Sequence, residues 1–84
     1  GSGGFMDLGM ALHGLMLAAQ AQGLASCAIG ALASYPQIVR AALGLPESEA
    51  VVCGLALGWE DAQAPVNRTR TEREPLARYF SVLR

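Results

Sequence analysis

The sequence predicts an α+β fold that does not close on itself: a long buried helix, a short strand, a second helix, a central strand and an extended C-terminal tail. Three observations predict it. Residues 6–22 are apolar over most of their surface and built from strong helix formers. Val51–Leu57 is a continuous apolar run between Pro46 and Gly58, the pattern of a strand buried on both faces. The whole chain is 52% hydrophobic and only 15% charged, with no lysine, so it has too few polar residues to cover a small monomer. A unit of 84 residues buries only about 60% of its unfolded surface. Oligomerisation, or packing against a further part of the same protein, is the expected remedy.

The elements follow in order. Residues 6–22 (MDLGMALHGLMLAAQAQ) start with Asp7 in the first turn, where its charge suits the helix dipole, and stop at Gly23, suited to a left-handed cap. Gly9 and Gly14 cost about 1 kcal/mol each relative to alanine but permit close approach of a neighbouring helix. Gly1–Gly4 (GSGG) reads as a cloning remnant or a native glycine-rich lead-in, and residues 5–84 as one unit. Residues 24–30 form a short apolar strand or extended segment. Ser34 then caps a second helix with Pro36 in its first turn, ending at Gly44. The strand Val51–Leu57 follows, then a loop with proline and aspartate, an arginine-rich tail, and an amphipathic stretch from Pro75 to Leu83. A strand buried on both faces needs neighbours on both edges, and this chain offers one other strand. The rest of the sheet is expected to come from elsewhere.

Composition excludes several classes. The net charge of −1 implies no nucleic-acid or membrane-surface partner, although five of the six arginines fall in the last 17 residues. Phe5–Ala19 contains Asp7 and His13 and is too short to span a bilayer, and it lacks the basic start of a signal peptide. Cys27 and Cys53 sit in apolar surroundings and make neither a disulfide framework nor a metal site. They are expected to be buried, reduced thiols of a cytoplasmic protein. His13, the only histidine, is expected to make one structural hydrogen bond, with a role in a site as the alternative. No nucleophile–base pair, metal cluster or phosphate loop is present, so no catalytic residue follows from the residues alone.

The order of segments carries more. Asp7-Leu8-Gly9-Met10-Ala11-Leu12 is followed by Leu17-Ala18-Ala19-Gln20-Ala21-Gln22-Gly23-Leu24-Ala25-Ser26-Cys27. Then come Ser34-Tyr35-Pro36-Gln37-Ile38-Val39-Arg40, Leu43-Gly44-Leu45-Pro46, Val52-Cys53-Gly54-Leu55-Ala56-Leu57-Gly58 and Ala64-Pro65-Val66-Asn67-Arg68-Thr69-Arg70. In this order and spacing, over residues 5 to 80, the chain resembles the C-terminal half of the FMN-dependent nitroreductases. The resemblance implies a homodimer with an antiparallel sheet flanked by helices, a long helix at the dimer core and FMN at the subunit interface. It implies electron transfer from NAD(P)H to a nitroaromatic or quinone.

Two sites carry over by position. Ala28, Ile29, Gly30 and Ala31 match the stretch that lies against the flavin ring and offers it backbone N–H groups. Small residues there permit close approach, and fixed N–H dipoles favour a reduced, anionic flavin. Without the resemblance this is a small-residue turn. Arg68 and Arg70 match the pair that binds the FMN phosphate. On an extended chain residues two apart point the same way, so both guanidiniums reach one phosphate. The alternative is a solvated charge run. Arg73, flanked by Glu72 and Glu74, is less suited because either can pair with it. The resemblance lacks the family's N-terminal half and its further phosphate contacts, so the chain is expected to be inactive alone. The competing expectation is a truncated, non-catalytic, self-associating helical interaction module.

Overall fold

A computed structural model describes all residues, Gly1–Arg84. Helix α1 spans Ser2–Ala21, strand β1 Ala25–Ile29, helix α2 Pro36–Leu43 and strand β2 Gly54–Gly58. Short 3₁₀ turns occupy Gly30–Ser34, Pro65–Arg68 and Leu76–Arg78. The architecture is α+β: two helices beside a two-stranded antiparallel sheet.

Helix α1 is longer than residues 6–22 at its start, because the glycine-rich lead-in joins its first turn. The N–H groups of a first turn need no helical partner, so Ser2–Gly4 extend an existing helix at little cost. The C-terminus is a Schellman motif. Leu24 N–H donates to the Ala19 carbonyl at 2.9 Å and Gly23 N–H to Gln20 at 3.0 Å, with Gly23 at φ +80°. Leu8, Leu12, Met16 and Ala19 recur at helical spacing on the side that faces the rest of the chain. Leu12 and Met16 are half-buried, and Ala19, 7% exposed, is the one buried residue of the molecule.

The other side of α1 is uncovered. Met6, Met10 and Leu17 there are exposed, as are Phe5 and Leu15 at the flanks of the covered side, and nothing approaches Gly9 or Gly14. A helix expected to be buried nearly all round is therefore covered on one side only by its own chain. The dimensions agree. The radius of gyration is 16.9 Å, where a self-contained globule of this length has about 12 Å. The accessible surface is 7295 Å², roughly one and a half times that of a folded monomer of this mass.

The register pairs Ala25 with Gly58, Cys27 with Ala56 and Ile29 with Gly54. Pairing starts at Gly54, three residues later than the apolar run suggests. Beyond Ile29 the partner strand turns into 3₁₀, so Val51–Cys53 have no ladder to join. The strand β2 is paired on one edge and only half-buried at Gly54 and Leu55, not enclosed on both faces. Gly54 is closely approached. A Cβ there would overlap Leu32 Cδ1 and stand 3.7 Å from Ile29 Cβ, so any larger residue requires the Leu32 side chain to move.

Tyr35, not Ser34, caps α2, and no side chain bonds its first turn. Pro36 at the first position supplies the preset φ and needs no N–H partner. Gly44, at φ +68°, ends the helix, and Leu45 N–H reaches back to the Arg40 carbonyl at 2.9 Å. The Arg40 side chain ties down the following loop. Its Nε donates to the Glu49 carbonyl at 2.9 Å, and Nη1 lies 3.7 Å from Glu47 Oε2.

Candidate functional site

The segment Ala28–Ala31 straddles the end of β1 and the start of the 3₁₀ turn. Ala28 and Ile29 close the strand, and Gly30 and Ala31 open the turn. All four are exposed, and the space a Gly30 Cβ would occupy has no atom within 4 Å. The open space at Gly30, between Ile29 and Ala31, suits the close approach of a planar ring.

Arg68 and Arg70 lie at the far end of the loop that follows β2. Arg68 is the last residue of the 3₁₀ turn Pro65–Arg68, and Thr69 is extended at φ −65°, ψ 131°. The chain is thus extended only from Thr69, not across both arginines, because Pro65 starts a turn that reaches Arg68. Arg70 Nη1 donates to the Asn67 carbonyl at 3.1 Å and to the Thr69 carbonyl at 2.9 Å. Neither arginine has a carboxylate partner; the ion pairs of the chain use Arg40 and Arg78, the latter 3.0 Å from Glu74. Arg73 does not pair with its flanking glutamates. It donates to Thr71 Oγ1 and to the Glu72 carbonyl. Two unneutralised guanidiniums two residues apart are a donor set that fits a phosphate.

One depression lies beside both regions and contains none of Ala28–Ala31, Arg68 or Arg70. It is open, about 450 Å³, and lined by Ala25, Ser26 and Cys27 of β1, Ala56–Gly58 of β2, Trp59, Glu60, Asp61 and Asn67. The residue before Arg68 thus shares a surface with the residues before Ala28. A second cleft, about 310 Å³, is almost wholly apolar and is lined by Leu8, Leu12, Val39, Leu43, Leu45 and residues 50–55. It holds none of the expected flavin residues. Its walls are the inner faces of α1 and α2, so it is an unfilled core and not a polar site.

His13 is exposed and makes no hydrogen bond, so the structural bond expected of it is not formed within this chain. Cys27 is exposed and Cys53 half-buried, where both were expected to be buried. The apolar flanks that suggested burial are themselves half-covered. No three His, Cys, Asp or Glu side chains gather to hold a metal, and no helix is long and apolar enough to cross a membrane. Asp61, Trp59 and Asn67 line the depression without having been singled out from sequence. Their signal was weak: an aspartate and an asparagine around a proline read as ordinary turn chemistry.

The comparisons with known proteins bear on family and fold. The family model described as "Nitroreductase family" matches residues 2–59. A 4-nitrobenzoate reductase of Nocardioides sp. (strain LMS-CY) is 36% identical over 78 residues, covering 93% of this chain and 32% of the relative. A 4-nitrobenzoate reductase of Pseudomonas putida is 37% identical over 70 residues, covering 83% and 31%. Among solved structures, the FMN- and NADPH-dependent nitroreductase NfnB from Sphigopyxis sp. strain HMH superposes with a TM-score of 0.94 at 38% identity. It covers 99% of this chain and 37% of that one. The chain spans about a third of the length of these relatives, and it belongs to the nitroreductase family.

Proposed function

We propose that this chain forms part of the FMN site of an NAD(P)H-dependent oxidoreductase that reduces nitroaromatics or quinones in the cytoplasm, as a homodimer. The observation that carries the reading is the pair Arg68 and Arg70, free of carboxylates, on a loop that shares one depression with the strand leading into Ala28–Ala31. Relatives described as FMN- and NADPH-dependent and as 4-nitrobenzoate reductases support the cofactor, the reductant and the substrate class.

Each part has a physical role. Arg68 and Arg70 hold the phosphate by charge-assisted hydrogen bonds. The Ala28–Ala31 backbone lies against the ring, where fixed N–H dipoles favour negative charge. Bound FMN supplies the transfer of hydride and electrons between nicotinamide and acceptor. The exposed side of α1 is the surface a second copy would cover, which completes the hydrophobic enclosure a single chain lacks.

Arg68→Ala combined with Arg70→Ala tests the clamp. Each charge-assisted contact is worth about 1.5–3 kcal/mol, so FMN affinity is expected to fall by at least about 100-fold. Riboflavin, which lacks the phosphate, is expected to bind as before through Ala28–Ala31. Equal losses for both ligands, or no loss, would remove the assignment.

A second reading is favoured by the exposed apolar side of α1: a non-catalytic module that self-associates or binds a partner. The purified protein separates the two. Visible flavin absorbance that follows the protein supports the first, and a colourless, stably folded oligomer supports the second.

A further inference from the structure

The loop between β2 and the arginines is closed by one side chain. Asn67 Nδ2 donates to the Asp61 carbonyl at 2.7 Å, across six residues. The same carbonyl accepts from Ala64 N–H at 3.1 Å, and Asn67 N–H donates to the Ala64 carbonyl at 3.0 Å. Asp61 Oδ1 accepts from Gln63 N–H at 3.0 Å, which fixes the entry to the turn. At the other end, the Asn67 carbonyl accepts from Arg70 Nη1. Asn67 and Ala64 are the only residues between Gly58 and Arg84 that are not exposed. An asparagine that closes a loop on one side and holds an arginine on the other couples backbone shape to guanidinium position.

We infer that Asn67 is a positioning residue for the oxyanion clamp: it locks the turn 61–67 and pre-orients Arg70 and the adjoining Arg68 toward a phosphate. This rests on the reading of those arginines as the phosphate site. Both carbonyls that engage Arg70 use Nη1, which leaves Nε and Nη2 for an incoming oxyanion. An arginine held in this way loses less freedom on binding than a solvated one. The side chain of Asn67 itself is spent on Asp61, so it acts through the arginines and touches no ligand.

The experiment compares the chain with Asn67→Leu, which keeps the branch point and removes the donor, and with the double arginine variant. Flavin fluorescence gives the affinities for FMN and for riboflavin. Asn67→Leu is expected to reduce the preference for FMN over riboflavin by about tenfold, the weight of one net hydrogen bond to a charged group, with riboflavin affinity unchanged. Asn67→Gln, which retains the amide, is expected to recover part of the preference. A preference equal to that of the original chain in Asn67→Leu would overturn the inference while leaving the clamp intact, provided the arginine variant loses it. No preference in the original chain, or one that survives loss of both arginines, would overturn the clamp and the inference together. Equal losses of FMN and riboflavin would mark Asn67 as merely structural and overturn it too. Should Asn67→Leu fail to fold, amide exchange in the original protein decides. One Asn67 Nδ2 proton is expected to exchange at least about tenfold more slowly than that of a free asparagine side chain, and fast exchange of both would overturn the inference.

Discussion

Residues 2–58 and residues 59–84 are organised in opposite ways. The first region contains both helices and both strands, and its unsatisfied need is hydrophobic: one residue is fully buried while Phe5, Met10, Leu15 and Leu17 face solvent. The second has no regular element beyond two 3₁₀ turns, yet its loop is closed by its own side-chain and backbone hydrogen bonds. The apolar region is locally regular and globally incomplete, whereas in the second the turn 61–67 is irregular but closed by its own hydrogen bonds, and the stretch after it leaves Leu76, Tyr79, Phe80, Val82 and Leu83 exposed. Hydrophobic burial is collective and needs a whole core, while a turn needs only a few residues to satisfy its donors. The scaffold and the apolar stretch 76–83 therefore depend on further surface, and only the turn 61–67 closes without it.

The largest expected effect lies in the contrast between a covered position of α1 and an exposed one at its flank. Ala19, 7% exposed, is the tightest position in the chain. Ala19→Glu places an unpaired charge there and is expected to cost about 3 kcal/mol or more, with loss of helical circular dichroism. Leu15 is 51% exposed within the single chain, so Leu15→Glu is expected to change the stability of a monomer by only about 0.5 kcal/mol. In a dimer built on that side it would bury a charge instead. Sedimentation equilibrium is then expected to show association weakened by at least about 100-fold, with the helix retained. A well-folded monomer of the original chain at micromolar concentration would break the comparison, because the apolar side would then need no partner.

A smaller effect is expected where the first region borrows the method of the second. Arg40 bonds the Glu49 carbonyl, and its side chain is 15% exposed, while that of Glu47 is 77% exposed. Arg40→Met keeps the apolar stem and loses the hydrogen bond, for about 1–2 kcal/mol. Glu47→Gln removes only a solvated, 3.7 Å ion pair and is expected to cost at most about 0.5 kcal/mol. Urea titrations rank the two, and a larger loss for Glu47→Gln would mean that charge and not the backbone contact holds the loop.

What was legible in the sequence follows the same division. Helix α1 and its stop at Gly23 were readable because Ala, Leu and Met propensity and a left-handed glycine are local properties. The order helix, strand, helix, strand was readable for the same reason. Burial was not. Apolar periodicity shows that a surface seeks cover, and does not show whether the same chain supplies it, so α1, β2 and both cysteines are more open than their composition suggests. The start of β2 depended on where β1 turns away, a non-local fact. Of the site, Ala28–Ala31 and the arginine pair came from resemblance. Asn67 stayed invisible, because its part depends on a loop closing back on Asp61.

The thiols give the mildest test, and the one that reads the boundary of the incomplete region most directly. Cys27 is exposed on β1 and its Sγ makes only a weak contact, 3.6 Å from the Ala28 carbonyl. Cys53 is half-buried in the apolar cleft beside Leu8, Val39 and Leu43. Access is expected to set the order of the rates. In the monomeric chain, Cys27 is expected to react with a thiol-labelling reagent at least about tenfold faster than Cys53, with denaturant equalising the two. Association through α1 would leave the order unchanged, since Cys27 lies on the sheet. If both cysteines stay unreactive until denaturant is added, as their apolar flanks suggested, then something covers the sheet as well as the helix. The missing cover would then extend over β1, and the depression beside Ser26 and Cys27 would be an interior surface of the assembled protein.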